Sequence, residues 1–218
     1  MNGRVRVKIC GITNEADSKR AAALGADAIG INFYTGSPRY VTPEIAGFIL
    51  RELPPFVEAV GVFVDEQLKQ VFAFLNQISR IRTVQMHGSQ REICDAYPFH
   101  FIPAFAVKDA ESLREIRRYL SACRGVGRMP SAILVDGHSP TQFGGTGRNP
   151  PWGALRGVQW DVPLILAGGL TPENVGEAIR AVRPYAVDVA SGVEAEPGIK
   201  DVEKMRRFID AVRNTEVD

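Results

Sequence analysis

Short apolar or β-branched runs alternate with amphipathic segments from one end of this chain to the other. The runs predict strands at residues 5–9, 28–33, 59–64, 83–87, 101–107, 132–136, 164–167 and 186–190. Helical patterns fall between them at 14–24, 43–53, 66–78, 110–123, 172–182 and 202–212, with weaker ones near 91–97 and 151–157. Local punctuation agrees. Thr42-Pro43-Glu44 and Thr171-Pro172-Glu173 each offer a hydroxyl cap, a proline suited to the first turn and an acid near the positive helix end. Gly25 is placed to end the first helix in the left-handed conformation, and Thr13 and Asp65 are placed to cap helices of their own.

Eight β-then-α units in a row argue for a single-domain α/β chain whose parallel sheet closes into a (β/α)8 TIM barrel. An open doubly wound sheet is the rival architecture. Against it, the first strand–helix turn lacks the glycine-rich dinucleotide fingerprint. At 218 residues the chain is shorter than the ~250 residues typical of a barrel, so its loops must be lean. The longest irregular stretch is 137–151, and its Gly144-Gly145-Thr146-Gly147-Arg148 run reads as a lid that excludes water. It lacks the strand and lysine of a nucleotide P-loop.

Charge and composition exclude several classes of partner. Lys and Arg total 26 against 25 Asp and Glu, a formal net charge of +1, which gives no electrostatic case for nucleic acid or anionic membrane. No apolar run at the N-terminus reads as a signal peptide, and none is long enough to span a bilayer. Cys10, Cys94 and Cys123 are odd in number and far apart, so they predict neither a disulfide framework nor a metal-ligand pair. A cytoplasmic protein is expected.

Barrel enzymes keep their chemistry at the carboxyl ends of the strands. The residues there are Cys10, Asn32, Val64, His87, Asp136, Gly168-Gly169 and Ser191-Gly192. Glycine turns after strands seven and eight expose backbone N–H groups that suit phosphate; tight packing is the alternative reason for them. Asp136 is a candidate general acid or a turn residue. A lone cysteine is ordinarily a buried structural thiol, but alternation puts Cys10 on one face with Lys8 and Arg6, leaving Val5, Val7 and Ile9 toward the helices. An ammonium below a thiol favours thiolate, and Asp188 from the closing strand is placed to pair with Lys8 and blunt that effect. Arg39 sits on a rim loop, where a planar fork suits a carboxylate. His87, one of three histidines, reads as polar lining, and Trp152 and Trp160 as packing.

These runs resemble phosphoribosylanthranilate isomerases of tryptophan biosynthesis. The matching segments are Lys8-Ile9-Cys10-Gly11-Ile12-Thr13, Ser37-Pro38-Arg39-Tyr40-Val41, Gly61-Val62-Phe63-Val64 and Gln85-Met86-His87-Gly88. Gly144-Gly145-Thr146-Gly147, Leu166-Ala167-Gly168-Gly169-Leu170, Asp188-Val189-Ala190-Ser191-Gly192-Val193-Glu194 and Pro197-Gly198-Ile199-Lys200-Asp201 follow in order. The resemblance implies a (β/α)8 fold and an Amadori rearrangement of N-(5-phosphoribosyl)anthranilate to a 1-deoxyribulose product, with no metal or organic cofactor. It implies Cys10 as general base and Asp136 as general acid. Arg39 would hold the anthranilate carboxylate, the Gly168-Gly169 and Ser191-Gly192 turns the phosphate, and Asp188 would join the substrate-binding set. The partner implied is a small phosphoribosyl substrate, for a monomer or homodimer. Ala190 departs from the family's frequent serine, and Ser89-Gln90 and Arg148 replace the usual acids and lysine; none touches the acid–base pair. The rival readings are a differently specific aldose–ketose isomerase of the histidine-pathway type, or a non-catalytic phosphosugar-binding barrel. A metal-dependent epimerase would need histidine and acid ligands at several strand ends, which the chain lacks.

Overall fold

The computed structural model describes residues 4–88, 99–137 and 152–215. Eight parallel strands close into a barrel in sequence order. They are β1 (Arg6–Cys10), β2 (Ala28–Asn32), β3 (Glu58–Val64), β4 (Thr83–His87), β5 (His100–Ala106), β6 (Ile133–Asp136), β7 (Leu164–Ala167) and β8 (Ala186–Val189). The helices are α1 (Glu15–Leu24), α2 (Pro43–Arg51), α3 (Leu68–Leu75), α4 (Ala110–Gly125), α5 (Trp152–Leu155), α6 (Val175–Val182) and α7 (Val202–Arg213). The weak helix pattern at 91–97, the lid run at 144–148 and Cys94 lie outside the described residues.

Residues opposite one another in a parallel ladder share a face, so the ladder registers trace the barrel lining from strand to strand. Cys10 is opposite Gly30, and Lys8 is opposite both Ala28 and Asp188. Arg6 is opposite Ala186, Ala186 opposite Ile165, Leu134 opposite Ile165, and Asp136 opposite Ala167. Cys10, Lys8, Asp188 and Asp136 therefore share the inner face. On the outer face Val7, Ile9, Ile29, Ile31, Phe63, Val84, Met86, Ile133, Val135, Leu166 and Val187 form the main core with the buried sides of the helices. The inner face divides. Ile102, Ala104, Leu134, Ile165, Ala167 and Ala186 make an apolar wall, and Lys8, Asp188, Thr83 and Gln85 are buried polar residues elsewhere on the lining.

Several local expectations change. Thr42 caps α2 and Gly25 ends α1 with φ 98°, as the pattern predicts. Thr13 does not cap: its hydroxyl donates to the Gly198 carbonyl, and Asn14 caps α1 by accepting from the Asp17 N–H. Asp65 is not a cap either. Gln67 takes that position on α3 without a side-chain bond, and the Asp65 carboxylate lies across Gly88. The segment opened by Thr171-Pro172 first makes a turn, and α6 begins only at Val175. Beyond β8 the chain adds a short antiparallel hairpin not foreseen from periodicity, β9 (Glu194–Glu196) and β10 (Ile199–Lys200).

The turns after β7 and β8 are packed backbone to backbone. A Cβ built on Gly192 would lie 1.9 Å from the Leu170 carbonyl oxygen. Gly192→Ala should therefore cost about 1–3 kcal/mol in denaturant unfolding. An unchanged unfolding midpoint would show that the two turns part freely.

Candidate active site

Cys10 ends β1 and is partly exposed at the mouth, with Lys8 two residues below it. Lys8 Nζ donates to Asp188 Oδ1 at 2.9 Å, and both side chains are buried. This is the cross-seam pair that alternation predicts. A Cβ on Gly30 would lie 2.7 Å from Cys10 Sγ and 3.0 Å from Lys8 Nζ, so the thiol and the ammonium occupy the space that the missing side chain leaves.

The charges around the thiol oppose one another. Burial, and then the negative Asp188, push the Cys10 thiol above its ordinary pKa; Lys8 and Lys200 pull it down without prevailing. Lys8 thus acts in the expected direction, but the net shift is toward the protonated thiol. Burial disfavours the Lys8 ammonium itself, yet Asp188 and the thiol outweigh it and raise its pKa.

Asp136 ends β6, three strands from β1 around the closed sheet, on the same inner face. Its backbone carbonyl accepts from the Val107 N–H at 3.0 Å. The Gly168-Gly169 turn has φ 89° and 64°, a backbone that side chains resist. Asn174 holds it, donating from Nδ2 to the Gly169 carbonyl at 2.9 Å. Ser191 and Gly192 lie in a single 3-10 turn, Ser191–Val193, after β8. The predicted phosphate turns are thereby adjacent. His87 ends β4 on the inner face, and its Nε2 lies 2.7 Å from Gln85 Nε2, in keeping with a polar lining role.

Arg39 is at the rim beside the thiol strand. Its stem crosses Gly11, where a Cβ would lie 2.4 Å from Arg39 Cδ and where φ is 73°. The Nε and Nη2 edge of the guanidinium is already engaged, donating to Glu194 Oε1 at 2.7 Å and Oε2 at 2.6 Å. That edge is not open to a ligand, and the end edge, Nη1 and Nη2, faces away from Glu194. Glu194 also accepts from Lys200 Nζ at 2.8 Å. Burial works against the Glu194 carboxylate, but Arg39 and Lys200 outweigh it and hold its pKa below the ordinary value. Burial lowers that of Lys200. The sequence reading assigns Glu194 and Lys200 no role; the signal that marks them is their place in the two family-matching runs after strand eight.

Among the described residues, no group of His, Cys, Asp and Glu is placed to hold a metal ion, and no helix is long and apolar enough to cross a membrane.

A closed parallel barrel with a thiol, a carboxylate and two glycine turns at its carboxyl-terminal mouth is a (β/α)8-barrel enzyme. The family model described as N-(5'-phosphoribosyl)anthranilate (PRA) isomerase matches residues 7–211. The chain belongs to this family. An N-(5'-phosphoribosyl)anthranilate isomerase from Geobacter sulfurreducens is 47% identical over 209 residues, covering 94% of this chain and 97% of that protein. The crystal structure of phosphoribosyl anthranilate isomerase from Thermotoga maritima is similar with a TM-score of 0.84 and 40% identity, covering 96% and 98% of the two chains. A further isomerase structure, in complex with reduced 1-(o-carboxyphenylamino)-1-deoxyribulose 5-phosphate, has a TM-score of 0.76 and 37% identity, again covering 96% and 98%.

Lys8→Met removes the ammonium beside the thiol and leaves Asp188 unpaired, so the pH midpoint of Cys10 alkylation should move upward. Mass spectrometry of the Cys10 peptide across a pH series of iodoacetamide reactions measures it. A midpoint that does not move, or moves down, would mean that Lys8 does not act on the thiol.

Proposed function

We propose that this chain, as one catalytic (β/α)8 domain, converts N-(5'-phosphoribosyl)anthranilate to 1-(2-carboxyphenylamino)-1-deoxyribulose 5-phosphate by acid–base catalysis. The observation that carries this reading is the shared inner face of Cys10 and Asp136 at one mouth. Asp136 in its acid form protonates the furanose ring oxygen, and the bond from that oxygen to C1 breaks. The nitrogen lone pair closes onto C1 and gives an iminium. The C2 proton is now acidic, and Cys10 as thiolate removes it; the C–H electrons form the C1–C2 double bond and neutralise the iminium. Loss of the proton from the C2 hydroxyl and gain of one at C1 yield the ketone. The thiolate is the form of Cys10 that acts, and the positive charge of the iminium stabilises it in the mouth.

The Gly168-Gly169 and Ser191-Gly192 turns would take the phosphate on backbone N–H groups, which need no desolvated cation. Arg39 would hold the anthranilate carboxylate by its end edge. Asp188 would contact substrate from beneath the thiol while keeping Lys8 in place. No part of this chemistry calls for a metal or organic cofactor. The reading extends to a cytoplasmic enzyme acting as a monomer or homodimer.

Each positioned acid or base contributes roughly 10²–10⁴-fold. Cys10→Ala and Asp136→Asn should each lower turnover by at least about two orders of magnitude. The assay follows loss of fluorescence of freshly generated phosphoribosylanthranilate, and complementation of a tryptophan auxotroph gives a second readout. Turnover near that of the parent in either variant would defeat the assignment. Binding of a product analogue without turnover in the parent would favour the non-catalytic barrel instead.

A further inference from the structure

An arginine on a rim loop has many rotamers, and most of them would not present its guanidinium to the mouth. Here Glu194 removes that freedom. Its Oε1 accepts from Arg39 Nε and its Oε2 from Nη2, a two-point grip that fixes the plane of the guanidinium. Glu194 is itself held. Its Oε1 also accepts from Lys200 Nζ at 2.8 Å and from the Gly198 N–H at 3.3 Å. Lys200 lies opposite Glu194 in the β9–β10 hairpin, and its Nζ donates in turn to the Ala190 carbonyl at 3.1 Å. The hairpin is seated on the loops of the first two strands through Thr13 to the Gly198 carbonyl, with the Pro38 carbonyl packed against Gly198.

The charges in this cluster do not cancel. Arg39 and Lys200 are cations, and among the described residues Glu194 is the carboxylate with which both pair. The Lys200 side chain is 0% exposed, that of Glu194 5% and that of Arg39 18%. The surplus positive charge therefore meets the mouth only at Arg39. Two of the five guanidinium N–H donors are committed to Glu194, and the end edge still offers two parallel donors. Without Lys200, Arg39 and Glu194 would form a closed neutral pair, and an incoming carboxylate would face the Glu194 charge with no counterweight.

We propose that Glu194 and Lys200 are positioning residues for substrate recognition: Glu194 fixes the plane of Arg39, and Lys200 leaves that cluster one net positive charge with which to receive an arylcarboxylate. The proposal rests on the reading of Arg39 as the holder of that carboxylate. It adds two residues that touch no substrate and act through Arg39.

Binding measurements on the full chain test it, with two probes. One is reduced 1-(2-carboxyphenylamino)-1-deoxyribulose 5-phosphate, and the other is the same molecule with phenyl in place of carboxyphenyl. The ratio of their dissociation constants reads carboxylate recognition alone. Inorganic phosphate, measured beside them, reads the glycine turns. Glu194→Gln and Lys200→Met should each reduce the ratio at least about fivefold, with phosphate affinity held within about twofold. Loss of a merely structural contact would weaken both analogues alike and leave the ratio where it was, and that result overturns the proposal. Arg39→Met separates the two levels. If it abolishes the ratio while Glu194→Gln and Lys200→Met keep it, the positioning role fails and the reading of Arg39 stands. If Arg39→Met itself keeps the ratio, the reading fails and the proposal with it. Should Lys200→Met not fold, Lys200→Gln takes its place as the variant without the charge, and Glu194→Gln continues to read the fixing of the guanidinium plane.

Discussion

The buried ion pair between Lys8 and Asp188 spans the seam where β8 closes on β1. Desolvating two charges is costly, and their mutual attraction roughly offsets that cost at best. The pair is poor evidence for stability, but it is strong evidence for register. A slip of one residue between β1 and β8 would turn either Lys8 or Asp188 outward, into the apolar layer under the helices, and expose the partner charge unpaired. The seam therefore has one acceptable register. That register places Cys10 one step above the pair and sets its height in the mouth relative to Asp136.

The same pair sets the electrostatics of the thiol. Burial and Asp188 favour the protonated form, and Lys8 opposes them from within contact distance. A permanently ionised thiol would be a weaker base, because basicity falls with pKa. A thiol whose pKa is held above its ordinary value gives the more basic thiolate, and positive charge on a bound ligand stabilises that thiolate. Gly30 is part of this arrangement, since any side chain there would occupy the space of Sγ and Nζ.

The sequence made the strands legible because each is a short apolar run, and the lining legible because alternation within β1 already separates Lys8 and Cys10 from Val7 and Ile9. The glycine turns and Asp136 were legible by position at strand ends. Lys8 and Asp188, 180 residues apart, were legible because closing a barrel pairs its first and last strands, but the distant partners in the loops were not. Glu194 lies 155 residues from Arg39 and Lys200 lies 183 from Asp17, distances over which periodicity carries no signal. The cap errors have the same origin. Thr13 and Asn14 are both good caps by type, and a tertiary contact decides between them, because the Gly198 carbonyl takes the Thr13 hydroxyl. The net direction of the thiol shift was likewise a balance among burial, Asp188, Lys8 and Lys200, of which only the Lys8 and Asp188 contributions could be anticipated from the strand pattern.

The two ends of the mouth are built by different means, and the difference follows from the cost of order. Backbone N–H groups in the turns after β7 and β8 are fixed by the fold, so they lose little on meeting an anion. An arginine side chain carries about 2 kcal/mol of rotamer entropy, which binding would otherwise have to overcome. Glu194 takes most of that freedom away before any ligand arrives, and Lys200 offsets the charge that Glu194 brings. A lone arginine would be equally cationic but loose, and an arginine paired with a lone glutamate would be fixed but neutral. Only the three together are both fixed and cationic, which explains why a short hairpin after the last strand carries two buried charges next to the rim.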